Sequence, residues 1–131
     1  MIYLRAFLVW LIIIATETCH GILRNLYLAP RIGDFRARQI GVFIATLLIF
    51  IISIVFIKFI KASGKKQLLF IGIAWVVLTL IFELSLGRLL HLSWERILSD
   101  YNLLKGGLMP IGLILTAFSP LAAAKVRGLL D

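Results

Sequence analysis

Residues 15–26, ATETCHGILRNL, set a glutamate, a histidine and an arginine within eight positions of an otherwise apolar chain. On an α-helix Glu17, His20, Gly21 and Arg24 fall at i, i+3, i+4 and i+7 and share one face. Helical side chains lean towards the helix N-terminus, so Arg24 leans back over His20 and Glu17. Such a set has three chemical uses. It can be a structural Glu–Arg pair bridged by the histidine. It can exchange protons or contact a solute through a titrating acid. It can contribute to a metal site, because Glu-x-x-His is the spacing of di-metal carboxylate bundles. That third use needs a second copy of the motif and two more carboxylates. The chain adds only Glu83 and His91 as plausible ligands, so no metal and no other cofactor is expected.

The elements that hold these residues are membrane spans. Of the 131 residues 62% are hydrophobic and 15% charged, against about a quarter charged in a soluble domain. Apolar runs near or above the spanning length of about 18 residues recur. The reading is an all-α polytopic membrane protein, one domain over 1–131, built as a four-helix transmembrane bundle. The spans are expected at about 2–26, 40–57, 68–90 and 108–124. Tyr3 and Tyr27 bracket the first, about 36 Å apart at 1.5 Å per residue, a fit to the two aromatic belts. Thr16–Thr18 has no small-x-small cleavage pattern, so this span is expected to be uncleaved. Pro30 and Gly33 are expected to break the helix, with Asp34 as the next N-cap. Ser63-Gly64 forms the turn between spans 2 and 3. Pro110 sits harmlessly in a first turn, whereas Pro120 should kink or fray the end of span 4.

Residues 93–105 between spans 3 and 4 place Trp94, Ile97, Leu98, Tyr101 and Leu104 on one helical face, with Arg96 and Asp100 paired at i, i+4. This is expected to be a short amphipathic helix lying in the headgroup layer.

Spans 1 and 3 run in the same direction in an alternating topology. Glu83 therefore lies at the depth of Glu17 and is expected to face span 1, within reach of His20 or Arg24. Arg88 and His91 are secondary polar candidates. Arg31, Arg36 and Arg38 in the first loop are candidates for holding anionic lipid headgroups. Gln39, Thr46 and Ser53 in span 2, and Gly112, Thr116 and Ser119 in span 4, mark packed seams.

The net charge of +8 belongs to the loops, where it sets topology, and not to nucleic-acid binding. The single cysteine, Cys19, excludes an intrachain disulfide. No GxSxG, Walker, CxxC or HExxH pattern occurs, so no catalytic residue is assigned. In length and in a first-span glutamate the chain is similar to the small four-span multidrug exporters. That likeness covers Glu17, and those exporters have few loop charges and no counterpart of Glu83.

The expected function is a non-catalytic accessory or assembly subunit in which the buried Glu/His/Arg cluster is an internal clamp. The alternatives are a proton- or cation-coupled carrier or channel acting as a homo-oligomer, and a membrane enzyme acting on lipid. The expected partners are the bilayer, anionic phospholipid, and a larger membrane complex or copies of itself. The expected location is a bacterial-type inner membrane. Basic residues divide seven to seven between the two faces, and the compact cluster Lys58, Lys61, Lys65 and Lys66 points to cytoplasmic termini.

Overall fold

The computed structural model describes residues 2–61, 64–99 and 101–128. Four helices are long and apolar enough to cross a membrane: Ile2–Ile32, Asp34–Ile60, Gly64–Leu89 and Met109–Val126, here spans 1 to 4. A six-residue helix, Trp94–Ser99, and a 3-10 turn, Leu103–Lys105, join spans 3 and 4, and the described residues contain no strand. The connecting helix is shorter than its apolar periodicity suggests. Extended backbone at Asn102 and left-handed backbone at Gly106 end the helical run early. Asp100 and Ser63 lie outside the described residues, and with them the expected Arg96–Asp100 pair and half of the Ser63-Gly64 turn.

Span 1 runs further than expected. A π-helical turn, Arg24–Leu28, carries it into Ala29–Ile32. Pro30 sits in the first turn of that last segment, where a missing N–H costs little. The break falls at Gly33, whose φ of 94° is open to glycine and strained for other residues. Gly33 also takes the cap position expected of Asp34, which becomes the first residue of span 2. Span 4 continues through Pro120 to Val126 without ending there. Pro120 is fully buried, so packing on both sides holds the turn that the ring weakens.

Spans 1 and 2, 2 and 4, and 4 and 3 pack extensively, whereas spans 1 and 3 touch over a shorter stretch. The core gathers at the end of the bundle that carries the termini. It comprises Val9, Trp10 and Ile13 from span 1, Ile49 and Ile57 from span 2, Leu68, Ile71 and Trp75 from span 3, and Ala123 and Ala124 from span 4. Two tryptophans tie spans 1 and 3 there. Trp10 Nε1 donates to Thr79 Oγ1 at 3.1 Å, and Trp75 Nε1 donates to the Ala6 carbonyl at 3.0 Å. Both bonds join residues 69 apart in sequence, which fixes the two spans parallel and in one register.

The seam residues divide between packing and the cavity, which Thr46, Gly112 and Thr116 line. Ser53, Thr116 and Ser119 are buried. The hydroxyls of Thr46, Ser53, Thr116 and Ser119 each donate at 2.8 Å to the carbonyl four residues back. This leaves the tryptophan bonds as the interhelical polar ties of the core. Trp75→Phe is expected to lower stability by about 1–3 kcal/mol through the lost bond and the smaller ring. Ser53→Ala, which removes only a bond within its own helix, should be near neutral. Thermal unfolding of both variants in detergent micelles checks the order.

Candidate functional site

The half of the bundle opposite the core encloses a cavity of about 420 Å³. Every span contributes to it. Ile13, Ile14, Ile49 and Thr116 line its deep end, Glu17, His20 and Glu83 its middle, and Arg24, Arg38, Arg96 and Tyr101 the part nearer the surface. The helical stripe of span 1 thus faces inward, and Glu83 opens onto the same space as Glu17, His20 and Arg24. The parallel register of spans 1 and 3 sets Glu83 level with Ile14, about one helical turn deeper than Glu17, with the Arg24 backbone about 10 Å nearer the surface than that of Glu17.

Glu17 lies within Coulombic reach of both Glu83 and Arg24, and His20 within reach of Arg24. Yet direct bonds do not close the set. Glu17 Oε1 and Arg24 Nε are both shut off from solvent, and neither has a hydrogen-bond partner. One is an acceptor, the other a donor. Buried polar atoms of this kind are nearly always satisfied, and here one acceptor and one donor stand open in the same cavity.

Local backbone explains how Arg24 reaches inward. It begins the π-helical turn, and its carbonyl accepts the Ala29 N–H across that wide turn. Turns of this type re-aim side chains and recur at functional sites. Gly41 of span 2 then makes room. A Cβ there would lie 3.1 Å from Arg24 Cδ, 3.2 Å from Arg24 Nη1 and 3.5 Å from His20 Cε1. The sequence reading missed Gly41; its only signal was a lone glycine opening an uncharged span.

A polar roof covers the cavity at the membrane face. Arg38 Nε donates to Asp34 Oδ2 at 3.0 Å, and Arg38 Nη1 donates to Ser99 Oγ at 3.1 Å. Arg96 Nη2 lies 3.4 Å from the same Asp34 oxygen. Gln39 Nε2 donates to the Gly106 carbonyl at 2.7 Å. Ile97 packs where a Cβ at Gly87 would lie 2.9 Å away. The start of span 2 and the segment joining spans 3 and 4 are therefore one latched layer. Asp34 is half exposed, so Asp34→Asn should cost under about 1 kcal/mol. It should nonetheless speed hydrogen exchange across Trp94–Ser99, a local opening that mass spectrometry resolves by peptide.

The loop arginines divide. Arg38 turns inward to the roof, while Arg31 and Arg36 stay exposed. Arg88 donates to the Leu92 carbonyl at 3.0 Å and lies over the Trp94 ring, 5.0 Å from its centroid. His91 is exposed with a φ of 63°. Neither lines the cavity. Five positions separate Arg88 from Glu83, which turns it to another face of span 3. The described residues bring no three His, Cys, Asp or Glu side chains together as a metal-binding group.

Fold and site define a four-span α-helical membrane protein with a polar cavity below one face. No family model, curated protein or solved structure matches the chain.

Proposed function

We propose that this protein is a small membrane carrier whose solute occupies the cavity beside Glu17. Glu17 and Glu83 receive a proton-donating, cationic group of the solute, and Arg24 balances their charge from the surface side. The observation that carries this reading is the open pair, Glu17 Oε1 and Arg24 Nε, buried in one cavity and bonded to nothing. An accessory subunit that used the cluster as an internal clamp would spend those two atoms on each other.

The setting we propose is a bacterial-type inner membrane with both termini cytoplasmic. The cavity then lies below the outer face, opposite the lysine cluster. Copies of the chain work together, because four short helices enclose little volume. The test is solute-dependent thermal stabilisation and gradient-driven flux in proteoliposomes. Glu17→Gln and Glu83→Gln should remain folded and lose both. Glu17→Gln unfolding as readily as a core variant, together with a second polypeptide in the native mass, would restore the accessory-subunit reading.

A further inference from the structure

The cavity has a direction of entry. Its lining residues on spans 2 and 4 are all buried or half-buried, and the roof covers the surface end. The exposed members of the lining are Thr18, Ile22 and Asn25 on span 1 and Leu90 at the end of span 3. Near the core spans 1 and 3 are tied at Ala6–Trp75 and Trp10–Thr79, with the Trp10 and Phe82 rings 6.5 Å apart just beyond. Past that point the cavity separates them. The opening therefore faces sideways, towards lipid, over the roughly 10 Å of helix from Thr18 to Asn25. Two of its four exposed residues are aliphatic, as a passage for hydrocarbon requires.

The interior is complementary to one kind of head. Glu17 Oε1 lacks a donor and Arg24 Nε lacks an acceptor. Two acids lie in the middle of the cavity and an arginine lies towards the surface. A zwitterion meets both needs, with its ammonium among the carboxylates and its anion at Arg24. A volume of about 420 Å³ is at the small end of ligand sites. It accommodates a headgroup but not two acyl chains, which an opening onto the bilayer leaves in place.

We infer that the solute is a phospholipid with a primary-amine zwitterionic head, which enters the Glu17 cavity sideways from the bilayer between spans 1 and 3. This rests on the carrier reading and names its substrate class. The primary amine matters because a quaternary ammonium has no N–H to give Glu17 Oε1.

The test titrates delipidated protein in detergent with short-chain phosphatidylethanolamine, phosphatidylcholine, phosphatidylglycerol and water-soluble phosphoethanolamine. Thermal stabilisation and retained mass in native mass spectrometry are read for the wild type and Glu17→Gln. Phosphatidylethanolamine should bind on the order of tenfold or more tighter than the choline lipid, the effect of one charge-assisted hydrogen bond. Soluble phosphoethanolamine should give no shift, and Glu17→Gln should abolish the preference. Phosphoethanolamine acting as well as the lipid would overturn sideways entry and the lipid class while leaving a solute site at Glu17. Equal binding of all three lipids to both proteins would reduce the lipid to a surface coat and overturn the inference. If no compound shifts either protein and Glu17→Gln unfolds like a core variant, the carrier reading itself falls.

Discussion

Gly72→Ala is expected to destabilise the bundle by about 3 kcal/mol or more. Gly72 is buried on span 3, and a Cβ built there overlaps the carbonyl oxygen of Ala117 on span 4, with the Ala117 carbonyl carbon only 2.7 Å away. The obstacle is backbone, so no rotamer change relieves it. Spans 3 and 4 would have to part. Span 4 is also held against span 2, where a Cβ at Gly112 would lie 2.9 Å from Val42 Cγ1, so span 3 would have to give way. Close backbone approach of this kind is the main source of helix association in lipid, where burial of apolar side chains gains little. Gly21→Ala is the control. Its nearest neighbour is Arg24 Nη2 at 3.9 Å, an ordinary contact, and alanine is the better helix former. Unfolding in mixed micelles should separate the two clearly. Gly72→Ala as stable as Gly21→Ala would remove the basis for the packing of spans 3 and 4.

The helical spans and the inward face of span 1 were legible because both follow from spacing within one helix. Apolar run length locates a span, and the i, i+3, i+4, i+7 pattern puts Glu17, His20, Gly21 and Arg24 on one side. The similar depth of Glu17 and Glu83 needed only the further rule that alternate spans are parallel; the register of the tryptophan ties sets Glu83 about one turn deeper. What escaped depends on how helices meet. Gly41 matters because Arg24 and His20 of another span lie against it. Arg38 reads as a headgroup contact from its loop position, but Ser99 and Asp34 draw it into the roof. The exposure of Thr18, Ile22, Asn25 and Leu90 at the cavity's edge depends on how spans 1 and 3 lie against each other, which no single-helix period encodes. The helix ends were misplaced for a local reason. Pro30 and Asp34 carry strong boundary signals, yet the π-helical turn shifts the phase of span 1 and leaves the break to Gly33.

Arg24→Met should cost on the order of 1 kcal/mol, and adding Glu17→Gln should return a large part of it. The cavity is a low-dielectric space in which charges interact far more strongly than in water. Glu17 there feels one acid, Glu83, and one base, Arg24. Removing the base leaves two carboxylates facing each other, and amidating Glu17 removes that repulsion. Glu17→Gln alone should be nearly neutral for stability, because Glu17 Oε1 has no hydrogen bond to lose. The expected order is wild type level with Glu17→Gln, the double variant below them, and Arg24→Met lowest. An internal clamp predicts a different pattern, in which either single change costs the whole interaction and the double change costs no more. The stability of Glu17→Gln alone therefore separates a ligand site from a clamp before any ligand is known. Gly41→Val supplies an independent route to the same end. Its Cβ would press on Arg24 Cδ at 3.1 Å and push the guanidinium from its place without removing a charge from the protein. If Arg24 acts on Glu17 through space, Gly41→Val should lose stability in the direction of Arg24→Met, and Glu17→Gln should relieve it in the same way. A Gly41→Val loss that Glu17→Gln leaves untouched would trace the cost to steric crowding and detach Arg24 from the acids.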